Sequence, residues 1–232
     1  MFVRLLVAAS LAAATFSALP AAAETIGSND GGNCYPFACN DGAAAFDFYQ
    51  IYDAGAFSGP LSFDTITFFG ADGYPAPEIL AGTYDISFGT TTDPVGSGVP
   101  LSLANVALFY SGALGGANLS IVGASYSYAP GGGNLVMHIQ VSDQAPTTND
   151  PDFISYMAAD YTGSEVSRTG RAIYADDSQT FDVTGAGALV TDFSTTGGAA
   201  VPEPATWGLM LIGFGAAGSL LRANRRRLVV TA

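Results

Sequence analysis

Lysine is absent from the 232 residues, and the chain holds seven arginines, one histidine, one tryptophan and two cysteines. Each shortage removes a kind of chemistry. Without lysine there is no Schiff base and no lysine-bearing phosphate loop. Arg4 stands at one end and four arginines at 222–227, so the middle of the chain offers only Arg168 and Arg171. A phosphate backbone needs clustered cations, which argues strongly against nucleic acid as a partner. His138 alone cannot build a histidine zinc site, and neither His-Glu-x-x-His nor Gly-x-Ser-x-Gly occurs. No convincing amphipathic helix pattern appears before residue 200.

What is present is acidic, apolar and rich in turns. Twenty Asp and Glu set the formal net charge at −13, apolar residues make up 49%, and there are 29 glycines. The length suits one medium domain with end segments, and the apolar content is enough to bury a core. Glycine between apolar runs favours many turns over long helices.

Both ends read as addresses. Met1-Phe2-Val3-Arg4 is a short cationic start, Leu5 to Leu19 is mostly apolar and uncharged, and Ala21-Ala22-Ala23 supplies small residues before Glu24. Residues 1–23 are therefore expected to be a secretory signal peptide cut after Ala23. Ala205 to Leu221 carries no charge, and as a helix its 17 residues cover about 25 Å, close to a bilayer core of about 30 Å. Arg222, Arg225, Arg226 and Arg227 follow, so a transmembrane helix at 205–221 would keep its arginine end in the cytoplasm and the rest of the chain outside. Gly213, Gly215 and Gly218 spell Gly-x-Gly-x-x-Gly, but inside an apolar span they read better as small residues for helix packing than as a dinucleotide loop.

The order Pro202-Glu203-Pro204, Trp207, Gly213-Phe214-Gly215 and Arg225-Arg226-Arg227 resembles a PEP-CTERM sorting signal, in the form found in alphaproteobacteria. Met210 and Gly218 fit it too; Gly208 stands where Ala is usual. The resemblance covers 201–228, a tail also named the ice-binding-protein C-terminal domain without implying ice binding. It implies a Gram-negative bacterium, passage through the Sec translocon across the inner membrane, and transient anchoring. It further implies processing near the Pro-Glu-Pro by an exosortase and delivery to the cell surface or extracellular matrix. It says nothing about the activity of what is sorted. Tyr49-Gln50-Ile51-Tyr52-Asp53-Ala54 with Phe57-Ser58-Gly59-Pro60 also resembles a segment recurring in some PEP-CTERM proteins, none with biochemistry to carry over.

Residues 24–200 form the expected exported domain. Nineteen acids against two arginines leave it at −17, so it repels itself and avoids anionic lipid. Cys34 and Cys39 are expected to pair in an oxidising compartment, closing a loop so short that it contributes at most about 2 kcal/mol; the other reading of Cys-x4-Cys, half a metal site, lacks a second pair. Leu61–Phe69 and Thr83–Phe88 alternate with period two, and Phe46–Tyr52 is rich in strand formers. Further strand candidates are 104–110, 119–128, 135–141, 156–161, 171–174, 179–183 and 189–193, with Phe153–Ala159 also open as a short helix. The expected fold is all-β, an antiparallel β-sandwich or jelly-roll-like domain, with a barrel as runner-up. In Leu61–Phe69, alternation puts Phe63 and Thr65 on one face and Ile66 and Phe68 on the other; neither face is fully polar, so the strand is expected to be covered on both, with Ile66 and Phe68 facing the core.

Catalytic parts are scarce. His138 sits between apolar residues on a strand, where a packed or edge role outweighs a Ser/His/Asp triad. The acids make calcium ligation at Asp150, Asp152, Asp176 and Asp177 conceivable in loops, against the plainer reading of solvated turn caps. Ten of the eleven tyrosines are candidates to offer faces to sugars, but most are expected in the core or in cross-strand pairs. The expectation is a non-catalytic, exosortase-sorted surface or matrix protein associated with exopolysaccharide. The alternative is a secreted carbohydrate-active hydrolase using paired carboxylates.

Overall fold

A computed structural model describes residues 23–39, 43, 45–98, 101–146, 156–162, 164–173, 179–181 and 186–196. These fall in one of two compact units of the chain, Ala21–Ala199. The leader up to residue 22, the apolar run 205–221, the sorting residues Pro202 to Arg227 and the four proposed calcium ligands lie outside the described residues. Among the described residues no helix is long and apolar enough to cross a membrane.

Among the described residues the regular elements are all strands, apart from 3-10 turns at Ala54–Ala56 and Pro130–Gly132. In chain order the strands are β1 (Glu24–Ile26), β2 (Gly31–Asn33), β3 (Ala45–Tyr52), β4 (Leu61–Phe68), β5 (Ile79–Thr91) and β6 (Leu103–Gly116). They continue with β7 (Ser120–Tyr128), β8 (Asn134–Ser142), β9 (Met157–Asp160), β10 (Val166–Ile173), β11 (Gln179–Phe181), β12 (Ala188–Leu189) and β13 (Thr191–Ser194). They form a four-stranded sheet β1-β13-β4-β7, a six-stranded sheet β11-β10-β3-β8-β5-β6 and a three-stranded sheet β12-β9-β2. Every pairing between these strands is antiparallel.

The first two sheets share an aromatic core. Phe63 of β4 meets Phe88 of β5 edge-on at 4.9 Å, and Phe193 of β13 meets Tyr52 of β3 at 5.2 Å. Edge-to-face geometry sets positive ring edges against negative faces, adding to the burial each ring already gains. Phe109, Tyr126, Phe57 and Tyr128 extend the cluster.

β4 departs from simple alternation. Ile66 and Phe68 are buried as expected, but so is Phe63, which strict period two puts on the opposite face. The pairing with β7 is irregular between Phe63 and Thr65: Phe63 stands opposite Tyr126, Thr65 opposite Val122. Phe63 in one half of β4 and Phe68 in the other both join the core.

The helix option for Phe153–Ala159 fails in its described part, because Met157–Asp160 is β9. β9 lies between β12 and β2, and all four of its residues are buried. Burial on both faces erases the alternation that would have marked it as a strand. The β7–β8 connection depends on Gly133 (φ +108°), where an added Cβ would stand 2.5 Å from the Thr91 carbonyl oxygen.

Candidate functional site

Three polar constructions stand out on this frame. The first is the disulfide loop. Cys34 and Cys39 are bonded, with Cα atoms 5.2 Å apart. The loop between them turns Phe37 into the core, fully buried, stacked on Tyr84 at 5.5 Å and tilted on Phe68 at 4.9 Å. The Gln144 amide donates to the Pro36 carbonyl at 2.7 Å and to the Tyr84 hydroxyl at 2.8 Å, while Leu80 N–H donates to the Phe37 carbonyl. Burial pushes the Tyr84 hydroxyl up to about 12, with the Gln144 bond opposing. The pair thus acts as a clasp for an inserted ring, and this is what the sequence could not say of it.

The second surrounds His138. β8 lies between β3 and β5, so His138 is on an interior strand, not an edge. It stands directly opposite Tyr49, and the two rings stack almost parallel (3°) with centroids 4.1 Å apart. Asp47, two residues before Tyr49, shares its face of β3. Its carboxylate meets His138 Nε2 at 2.5 Å. Ser87 of β5 is also opposite His138, but no hydrogen bond joins them among the described contacts. The imidazole is held by a carboxylate and a ring, both from β3, and this arrangement braces β8 against β3.

The third is buried. Gln50 on β3 points inward and is fully enclosed. Its Oε1 accepts from Leu189 N–H at 2.7 Å. Its amide nitrogen donates to the Leu189 carbonyl and the Tyr52 hydroxyl, both at 2.7 Å. The Tyr52 hydroxyl in turn donates to Thr191 Oγ1 at 2.9 Å. Enclosure raises the Tyr52 hydroxyl well above its ordinary value, outweighing those bonds. The network ties the six-stranded sheet to the end of β12 and the start of β13.

Several of the described acids act as acceptors within the fold. Asp160 is buried and accepts from Ser28 N–H, Thr162 N–H and the Thr162 hydroxyl. Asp64 accepts from both the N–H and the hydroxyl of Thr196, each at 2.5 Å, which holds its carboxyl below the usual range. Asp30 accepts from Tyr161 N–H at 2.7 Å, a contact between segments 131 residues apart. Among the described residues no group of three or more His, Cys, Asp or Glu gathers to hold a metal. Of the tyrosines, Tyr52, Tyr84, Tyr126 and Tyr128 are core, whereas Tyr74 and Tyr161 are exposed.

Sequence reasoning missed the partners of Gln50 and His138. One trace was present: a glutamine flanked by apolar residues on a strand, and an acid two residues before a tyrosine. The Leu189 partner of Gln50 lies 139 residues away, and the Asp47 partner of His138 lies 91 away.

An antiparallel all-β unit of this kind defines no reaction by itself. Residues 200–227 match the family model described as the PEP-CTERM protein-sorting motif, so the chain carries that motif, and the motif implies an exported, exosortase-sorted protein. It indicates sorting to the surface of a Gram-negative cell. No curated protein and no solved structure gives a match.

Proposed function

We propose that this chain is a non-catalytic protein of the cell envelope or exopolysaccharide matrix, its β unit laid out as a sandwich and delivered outside by its sorting tail. The motif at 200–227 carries the reading. In it the leader 1–23 directs Sec export, the run 205–221 anchors the chain for a time, Arg225, Arg226 and Arg227 stay inside, and exosortase acts near Pro202-Glu203-Pro204. The bonded Cys34–Cys39 pair suits an oxidising compartment. The charge of −17 on residues 24–200 suits a well-solvated external molecule.

Fractionation of the native host tests the sorting. The chain should be recovered at the outer surface without its tail, and a Pro202→Ala, Glu203→Ala, Pro204→Ala variant should stay in the inner membrane. Full-length chain free in the cytosol with its leader intact would refute the proposal. Retention of the released chain on the host's own polysaccharide tests the matrix role, and no retention with or without calcium removes it. Melting with and without calcium separates ligation by Asp150, Asp152, Asp176 and Asp177 from turn capping: ligation raises the melting temperature.

A further inference from the structure

Charge is spread unevenly over the β unit. All 19 acids and both arginines of residues 24–200 lie in 24–93 and 143–200. From Pro94 to Ser142 there is no Asp, Glu or Arg. That stretch supplies β6, which ends the six-stranded sheet, and β7, which ends the four-stranded sheet. The two edges adjoin. The Tyr126 hydroxyl donates to the Asn105 carbonyl at 3.4 Å, and a Cβ added to Gly123 would stand 2.4 Å from the Phe109 carbonyl oxygen. The side they form exposes aliphatic groups: Val106 is 53% exposed, Leu108 57% and Val122 55%. Ala104, Ala107 and Ala113 of β6 are exposed with them. Edge strands usually carry lysine, acid or proline as a guard, and this one carries none.

We propose that the uncharged β6–β7 side is a self-association surface on which a second copy of this chain docks. The charge distribution selects the occupant. Two copies at −17 each repel one another, and contact through acid-bearing sides would set like charges together. The β6–β7 side is where they can meet without that cost. A cationic partner would be drawn to the acidic sides instead. A sugar would want exposed ring faces, and Tyr126 and Tyr128 of β7 are buried. A twofold axis lets the same patch serve both copies. Salt screens the repulsion between copies, so association should strengthen as salt rises, whereas capture of a cationic partner would weaken.

Cross-linking through a new thiol tests this in the full chain. Cys34 and Cys39 are the only native cysteines and are bonded to each other, so Ala107→Cys introduces a single free thiol. Under mild oxidation on its host's surface, this variant should give a band of twice the mass that disappears on reduction and grows with salt. Asp72→Cys, at an exposed position on an acid-bearing segment, should give at least fivefold less. Adding Val106→Asp and Leu108→Asp should lower the Ala107→Cys yield by a similar factor. So should Val122→Asp alone, a single change at an exposed site, with the circular dichroism unchanged. Equal yields from Ala107→Cys and Asp72→Cys, a yield that falls with salt, or a folded Val122→Asp variant with full yield would each overturn the proposal.

Discussion

Phe37 is where the clasp and the core can be separated by experiment. Phe37→Ala removes a fully buried ring held against Phe68 and Tyr84. Loss of a buried phenylalanine, with the cavity it leaves, costs about 3–5 kcal/mol. That is a large share of a domain's usual net stability of about 5–15 kcal/mol. Replacing Cys34 and Cys39 by alanine frees a loop of six residues, for which chain entropy gives about 2 kcal/mol. If the bond exists to hold the ring in place, the two losses overlap. The triple variant should then fall short of their sum by about 1 kcal/mol or more. Urea unfolding followed by far-ultraviolet circular dichroism, with midpoint and slope fitted together, reads all four corners of the cycle. A Phe37→Ala cost below about 1 kcal/mol, or strict additivity, would refute the clasp.

Gln50→Leu should destabilise by about 3 kcal/mol, because the Leu189 N–H and carbonyl lose a buried partner; thermal unfolding checks this, and a loss within about 0.5 kcal/mol contradicts it. Alkali should unfold the protein: Tyr52, Tyr84 and Tyr128 are all raised by burial, so their stabilisation is whole below about 10 and is lost as pH climbs through the folded values, about 12 for Tyr84 and Tyr128. Spectroscopic tyrosine titration should therefore coincide with loss of structure, and free titration of every tyrosine near 10 in folded protein would count against it. Asp64 has the opposite sign. Its carboxyl is lowered by Thr196, so the clamp contributes above the ordinary value of 3.8 and is lost as pH falls below it. Amide exchange at Thr196 should speed up in that acid window, and unchanged protection there would argue against the clamp.

Strands with one buried face could be read from the sequence, because period two survives in them. β5 and β8 follow their alternating or apolar runs, though both extend beyond the segments read. What could not be read has physical causes. β1 and β2 are three residues each, too short to show a period, and Gly31-Gly32-Asn33 has little strand propensity of its own; pairing with β9 makes it a strand. β9 gave a mixed signal because both its faces are covered. Both faces of Leu61–Phe69 carry apolar residues, so cover on both could be read, whereas the entry of Phe63 and Phe68 into one core depends on tertiary packing. The disulfide was legible from compartment and count, while its cargo, Phe37, was not.

The pairing of β1 with β13 joins Glu24 to Phe193 and makes the earliest and latest described strands neighbours in one sheet. β13 also borders β4 on its other flank, so a single late segment has to sew two seams. Until Thr191–Ser194 emerges, Phe63 lacks the Phe193 ring and Gln50 lacks the Thr191 hydroxyl. A chain threaded amino-end first therefore cannot finish piecemeal. It waits, half-made, for its closing stitch, and the stitch lies only a few residues ahead of the tail that decides where the protein goes.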